Sequence, residues 1–217
     1  MSLQKLLVLS ALVCSLSIPS VTSAADLSVN GHIRAHGACS ITLGNGGIID
    51  FGNLSRTDIV ANSSTHFEVD ENMPLTINCQ QPTKVGVNLI DNREGTVPDG
   101  HTGFGLGNPL IGSYRVGSHT TWGPLADGGR VETIERREGS TTWRHPYVWS
   151  IEGRPQGMVR WTGRDYTTSW GTRTPVEPVA FKKLTDVLWF GLSFVHDMAF
   201  TDELEIDGSL TLDFVYL

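Results

Sequence analysis

Cys39 and Cys79, forty positions apart, are the residues whose type and spacing suggest the clearest chemistry. In an oxidising compartment an even pair is most simply one disulfide, which would stabilise by roughly 4 kcal/mol in the chain-entropy picture. Two buried free thiols are the alternative. A zinc site needs more ligands at short spacing, and only His36 stands near either cysteine. His32 and His36 are four apart, but they fall on the polar side of an alternating run and read as solvated residues. His145, ahead of Pro146 and Tyr147, has no partner identifiable in the sequence. Glu132 and Glu135 could pair with another acid as in a glycosidase, yet a chain with 23 acids offers many such pairs. Gly-x-Ser-x-Gly, His-Glu-x-x-His and a phosphate-binding Gly loop with Lys are all missing. The expectation is a protein without catalytic residues, cofactor or metal.

A second concentration of chemistry lies mid-chain. Trp122, Trp143, Trp149, Trp161 and Trp170 are five of the six tryptophans, and residues 122–173 carry eight arginines against six acids. Flat rings stack on apolar sugar faces or anchor interfaces, and Arg forks bind carboxylates. One reading makes this stretch a recognition surface for a glycan or a neighbouring protein, with Trp161, Arg164 and Trp170 as candidate contacts. The other packs these rings into the core or along cross-strand pairs.

The elements that must position these residues are strands. Lys5, the apolar run Leu6 to Leu16 containing Cys14, Pro19 and the small residues Thr22-Ser23-Ala24 have the layout of a secretory signal peptide over residues 1–24. The apolar run is too short to span a bilayer, and no second run of that length follows. The net charge of −7 argues against non-specific nucleic-acid binding. From Leu27, odd positions through Leu43 are apolar or small while even ones are mainly polar. The even positions Leu204, Ile206, Gly208, Leu210, Leu212, Phe214 and Tyr216 repeat the pattern. Each predicts a strand with one buried face. Leu75–Asn78, Lys84–Ile90 and Val187–Val195 are further strand-like runs, separated by clusters such as Gly44-Asn45-Gly46-Gly47. Together they predict an all-β sandwich over residues 38–217, preceded by an extension at 25–37 and interrupted by an insertion at about 120–175.

The stretch Gly37-Ala38-Cys39-Ser40-Ile41, the second Cys forty residues on, and the ending Leu210 to Tyr216 resemble pilin subunits of the chaperone–usher pathway. A closer resemblance is to DUF1120, a family of fimbrial-like exported proteins. It is carried by Cys39-Ser40-Ile41 with Gly46-Gly47, Asp50-Phe51-Gly52, Cys79 with Pro82-Thr83, Phe104-Gly105-Leu106-Gly107, Ile111-Gly112-Ser113-Tyr114 and Val215-Tyr216-Leu217. The resemblance implies an incomplete immunoglobulin-like, pilin-type sandwich with one disulfide, lacking its last strand. It implies as partners a periplasmic chaperone, an outer-membrane usher and neighbouring pilus subunits, and a path from periplasm to the fimbrium of a Gram-negative bacterium. Leu27, Val29, Gly31 and Ile33 would then be donor-strand residues, and Leu210, Leu212, Phe214 and Tyr216 would border the acceptor groove. A soluble binding module with a complete sandwich, recognising a glycan or a protein, is the alternative.

Overall fold

The structure is a computed structural model, and it describes residues 38–54, 69–119, 122–149, 158–160, 165–195 and 204–217. The chain divides into Met1–Arg34 and Ala35–Leu217, and every described residue lies in the second unit. The segment expected to be a signal peptide, the residues Leu27, Val29, Gly31 and Ile33 expected to form a donor strand, and Trp161 and Arg164 all fall outside the described residues.

The strands are β1 Cys39–Leu43, β2 Val69–Thr83, β3 Val85–Asp91, β4 Phe104–Gly105, β5 Gly112–His119, β6 Leu125–Ala126 and β7 Gly129–Arg130. They continue with β8 Glu132–Arg137, β9 Val148–Trp149, β10 Met158–Arg160, β11 Tyr166–Gly171, β12 Phe181–Phe194 and β13 Leu210–Tyr216. One sheet runs β1-β2-β12-β5-β10-β9, with β4 on β5 and the β6–β7 hairpin on β12; the other runs β13-β3-β11-β8. All pairings are antiparallel. The described residues form an all-β sandwich, and Cys39 and Cys79, opposite each other on β1 and β2, form its disulfide.

Alternation builds the core. On β2 the odd positions Met73, Leu75 and Ile77 are buried, and on β12 the even positions Leu184, Leu188 and Leu192 meet them. From the facing sheet come Val85, Val87 and Leu89 of β3 and Trp170 of β11. Period-two burial of this kind is what a half-covered strand shows.

The structure extends several sequence readings and corrects others. The run expected at Leu75–Asn78 is the centre of a 15-residue strand, and the run expected at Val187–Val195 covers the second half of a 14-residue strand that ends at Phe194. Their register is continuous from Val69↔Leu192 to Asn78↔Lys183, and cross-strand pairing carries them past the polar ends. By contrast, the alternation beginning at Leu204 becomes a strand only at Leu210. The segment read as an insertion at about 120–175 is partly framework, because β11 pairs with β3 at the heart of its sheet. Trp170 is accordingly fully buried, its ring set edge-on to that of Phe181 with centroids 6.2 Å apart, so it belongs to the core and is no recognition contact.

Candidate functional site

β1 is short for a local reason. It pairs with β2 from Cys39↔Cys79 to Leu43↔Leu75, and the next residue of β2 is Pro74. Proline has no N–H to extend the ladder. Its ring also crowds the chain: a Cβ on Gly44 would sit 2.7 Å from Pro74 Cδ. The chain therefore leaves β2 at Gly44 and turns through Asn45 and Gly46, both with positive φ, at 48° and 64°. It then passes Ile49 and Phe51 across the gap between the sheets.

β13 forms the opposite lip. Among the described residues it pairs only with β3, and β1 pairs only with β2, so each sheet ends in a strand whose outer backbone edge is open. Between these lips lies a half-enclosed apolar cavity of about 160 Å³, lined by Leu43, Ile49 and Phe51 on one side and Ile206, Leu210 and Leu212 on the other. Met73, Leu188 and Leu192 line it from within the core. The lip residues Leu43, Ile49, Phe51, Ile206, Leu210 and Leu212 are only half buried, whereas the neighbouring β3 residues Val85, Val87 and Leu89 are 0–2% exposed. A furrow of unburied aliphatic surface beside open strand edges is a place where another strand can add.

The two lips meet at one end. Cys39 N–H donates to Tyr216 Oη (3.1 Å), so the hydroxyl of one edge strand satisfies the first backbone donor of the other. At the far end the approach to β13 is pinned. Asp207 N–H donates to Leu106 O (3.0 Å), and Arg93 holds Asp207 Oδ2 through Nε and Nη2 at 2.9 and 2.7 Å. These bonds place Ile206 against the furrow.

The four residues expected to border an acceptor groove thus divide. Leu210 and Leu212 line the furrow; Phe214 packs on the core toward the closed end, its ring 6.2 Å from that of Tyr216. Tyr216 is 56% exposed and acts through its hydroxyl.

In an immunoglobulin constant-type sandwich, strands ABED form one sheet and CFG the other. Here β1-β2-β12-β5 follows the order A-B-E-D and β13-β3 the order F-C. The G position would lie along the open edge of β13, at the furrow.

A family model described as a protein of unknown function, DUF1120, matches residues 27–131. That stretch is similar to DUF1120. It includes β1, the Gly44–Gly47 turn and the inner strands β2, β3 and β5, and it ends before β8, β11, β12 and β13. The DUF1120 region therefore supplies one lip of the furrow, and the other comes from farther along the chain. No curated protein and no solved structure matches the chain.

Away from the furrow, the structure shows a polar cluster that the sequence did not announce. Asp186 of β12 is buried between the sheets and accepts hydrogen bonds from Ser118 Oγ (2.7 Å to each carboxylate oxygen), Trp170 Nε1 (3.3 Å) and its neighbour's Val187 N–H (2.8 Å). Burial pushes its pKa up to about 6, against the opposing pull of these hydrogen bonds. The Trp170 bond spans the two sheets, tying β11 to β12. A single Asp in an apolar alternating run was the available signal.

Glu132 and Glu135 are three apart on β8, which turns their side chains to opposite faces. Glu135 is 1% exposed and held by Arg144, whose Nε and Nη2 lie 2.8 and 2.7 Å from Oε1. That hydrogen bond and charge raise the Arg144 pKa above its ordinary value. His145 has a partner after all: its Nε2 lies 3.3 Å from the Arg173 carbonyl oxygen. Trp143 is half buried beneath the Arg136 guanidinium, 4.8 Å from the ring centroid, and Trp122 is 55% exposed while stacked on His119 at 4.3 Å. Among the described residues, no group of three or more His, Cys, Asp or Glu is placed to hold a metal ion. None of the described helices is long and apolar enough to cross a membrane.

Proposed function

We propose that this chain is a structural or adhesive subunit of a surface fimbria. On this reading it is exported to the periplasm of a Gram-negative bacterium, held there by a chaperone, and added to a fibre at an outer-membrane usher by donor-strand exchange. The observation that carries the proposal is the apolar furrow between β1 and β13, flanked by two strand edges left open among the described residues. A strand laid there gains backbone hydrogen bonds along an open edge and buries every second side chain.

The segment 25–37 has the matching alternation. Leu27, Val29 and Ile33 would enter a neighbour's furrow, and Gly31 would allow close backbone approach. Burying three aliphatic side chains contributes roughly 1.5–3 kcal/mol each before ordering costs.

The test is a peptide copying residues 25–37, added to the full chain. At about a hundredfold excess over its Kd the melting temperature should rise by roughly 5–10 °C. A peptide with Leu27, Val29 and Ile33 changed to Asp should give no shift. A chain that stays monomeric and is indifferent to the native peptide is instead a self-sufficient binding module.

A further inference from the structure

A second cavity, of about 450 Å³, lies at the end of β8 and is lined by Glu132, Thr133, His145 and Pro146 on one side and by the loop carrying Arg173 and Val176 on the other. Its walls are fixed by backbone bonds. Glu135 and Arg144 exchange both N–H···O bonds (2.9 and 3.0 Å), which lays the segment carrying His145 and Pro146 along the outer edge of β8. The opposite wall is the loop after β11, closed where Thr172 N–H donates to Glu177 O (3.0 Å) and Gly171 bridges Pro178. Its volume falls in the range of small-molecule sites.

The charges on this cavity decide what it can hold. Glu132 and Arg173 face each other at 3.5 Å, with side chains 40% and 79% exposed. So long and wet an ion pair is weak, and both groups keep capacity for a third partner. His145 Nε2 donates to the Arg173 carbonyl, which in the neutral ring leaves Nδ1 as an acceptor. An anion here would meet the Glu132 carboxylate, and a cation would meet the Arg173 guanidinium. A neutral hydroxyl-rich ring meets neither penalty. Its hydroxyls donate to the carboxylate and accept from the guanidinium, while its C–H face lies against Pro146 and Val176. We propose that this cavity at the β8 end binds a neutral pyranose of a glycan, a recognition site separate from the furrow and within the Arg- and Trp-rich part of the chain.

Saturation-transfer NMR on the full chain, with a panel of glucose, galactose, mannose, N-acetylglucosamine and an acidic sugar, tests this. At least one neutral sugar should bind saturably in the millimolar range or tighter. Glu132→Gln and Arg173→Gln should each weaken it roughly tenfold, the effect of a lost hydrogen bond to a charged group, with the melting temperature unchanged. Arg173 is exposed enough that its variant decides the matter even if Glu132→Gln misfolds. Filling the furrow with the 25–37 peptide should leave sugar binding intact. The proposal is overturned if no neutral sugar binds saturably, if binding survives both substitutions, or if the acidic sugar binds more tightly than the neutral ones.

Discussion

Asp186 shows what one side chain contributes against its own interest. Its folded pKa of about 6 stands above the ordinary 3.8, so the folded state holds the proton more tightly than the unfolded chain does. The resulting stability is fully present below about pH 4 and is lost as pH rises through 6. At neutral pH the ionised carboxylate therefore costs roughly 3 kcal/mol relative to its protonated form. Asp186→Asn keeps an acceptor for Ser118 and Trp170 without the charge. Urea unfolding at pH 7.5 and 4.5 should show the variant ahead of the wild type at the higher pH, with the gap closing at the lower. A gap independent of pH would disprove the assignment. The disulfide acts through the unfolded chain instead. Replacing Cys39 and Cys79 by Ala should lower the unfolding free energy by roughly 4 kcal/mol, read from the shift in denaturation midpoint.

At the scale of elements, the furrow depends on where β1 lets go of β2. Gly44→Ala places a methyl 2.7 Å from Pro74 Cδ, so either the turn or the proline ring must move. A loss of about 1–3 kcal/mol is expected in chemical denaturation, and a neutral result would show that the turn is not set by that contact. Leu212 tests the other lip. It is half buried, so Leu212→Ala should cost the isolated chain less than the 2–5 kcal/mol typical of a closed core. It should nonetheless remove much of the stabilisation given by the 25–37 peptide. The same substitution at Leu188, a core residue behind the furrow, should reverse that balance and harm the chain itself first.

For the whole molecule, strand edges left open among the described residues, beside half-buried apolar surface, favour the addition of a further strand. If segment 25–37 of one copy enters the furrow of the next, the contact is head-to-tail and does not close, so it propagates. Size-exclusion chromatography with light scattering should find large assemblies that an excess of free 25–37 peptide breaks down to monomers. Assemblies unaffected by the peptide would have another origin. Much of this architecture was legible beforehand: the alternation at Cys39–Leu43 and Leu210–Tyr216, the pairing of two cysteines, and the inner strands around Leu75 and Val87. Other parts were not. Trp170 shares its neighbourhood in sequence with surface-like Arg, Gly and Thr, and nothing local marks it as the ring that crosses the core. Asp186 sits in a strand whose neighbours are apolar, and only its partners Ser118 and Trp170, 68 and 16 residues away, make its burial tolerable.

Side-chain alternation is a property of a single strand, so the chain's own residues determined that it is all-β and which faces of its strands turn inward. Whether an inward face is fully covered depends on strands remote in sequence, and here the partial covering of Leu210 and Leu212 beside the buried Val85, Val87 and Leu89 of β3 was decided only when the two sheets came together. The cavity at the β8 end is of the same kind. Glu132, His145 and Arg173 are separated by 13 and 28 residues, and only the pairing of β8 with the segment beside it and the return of the loop after β11 bring them to one rim.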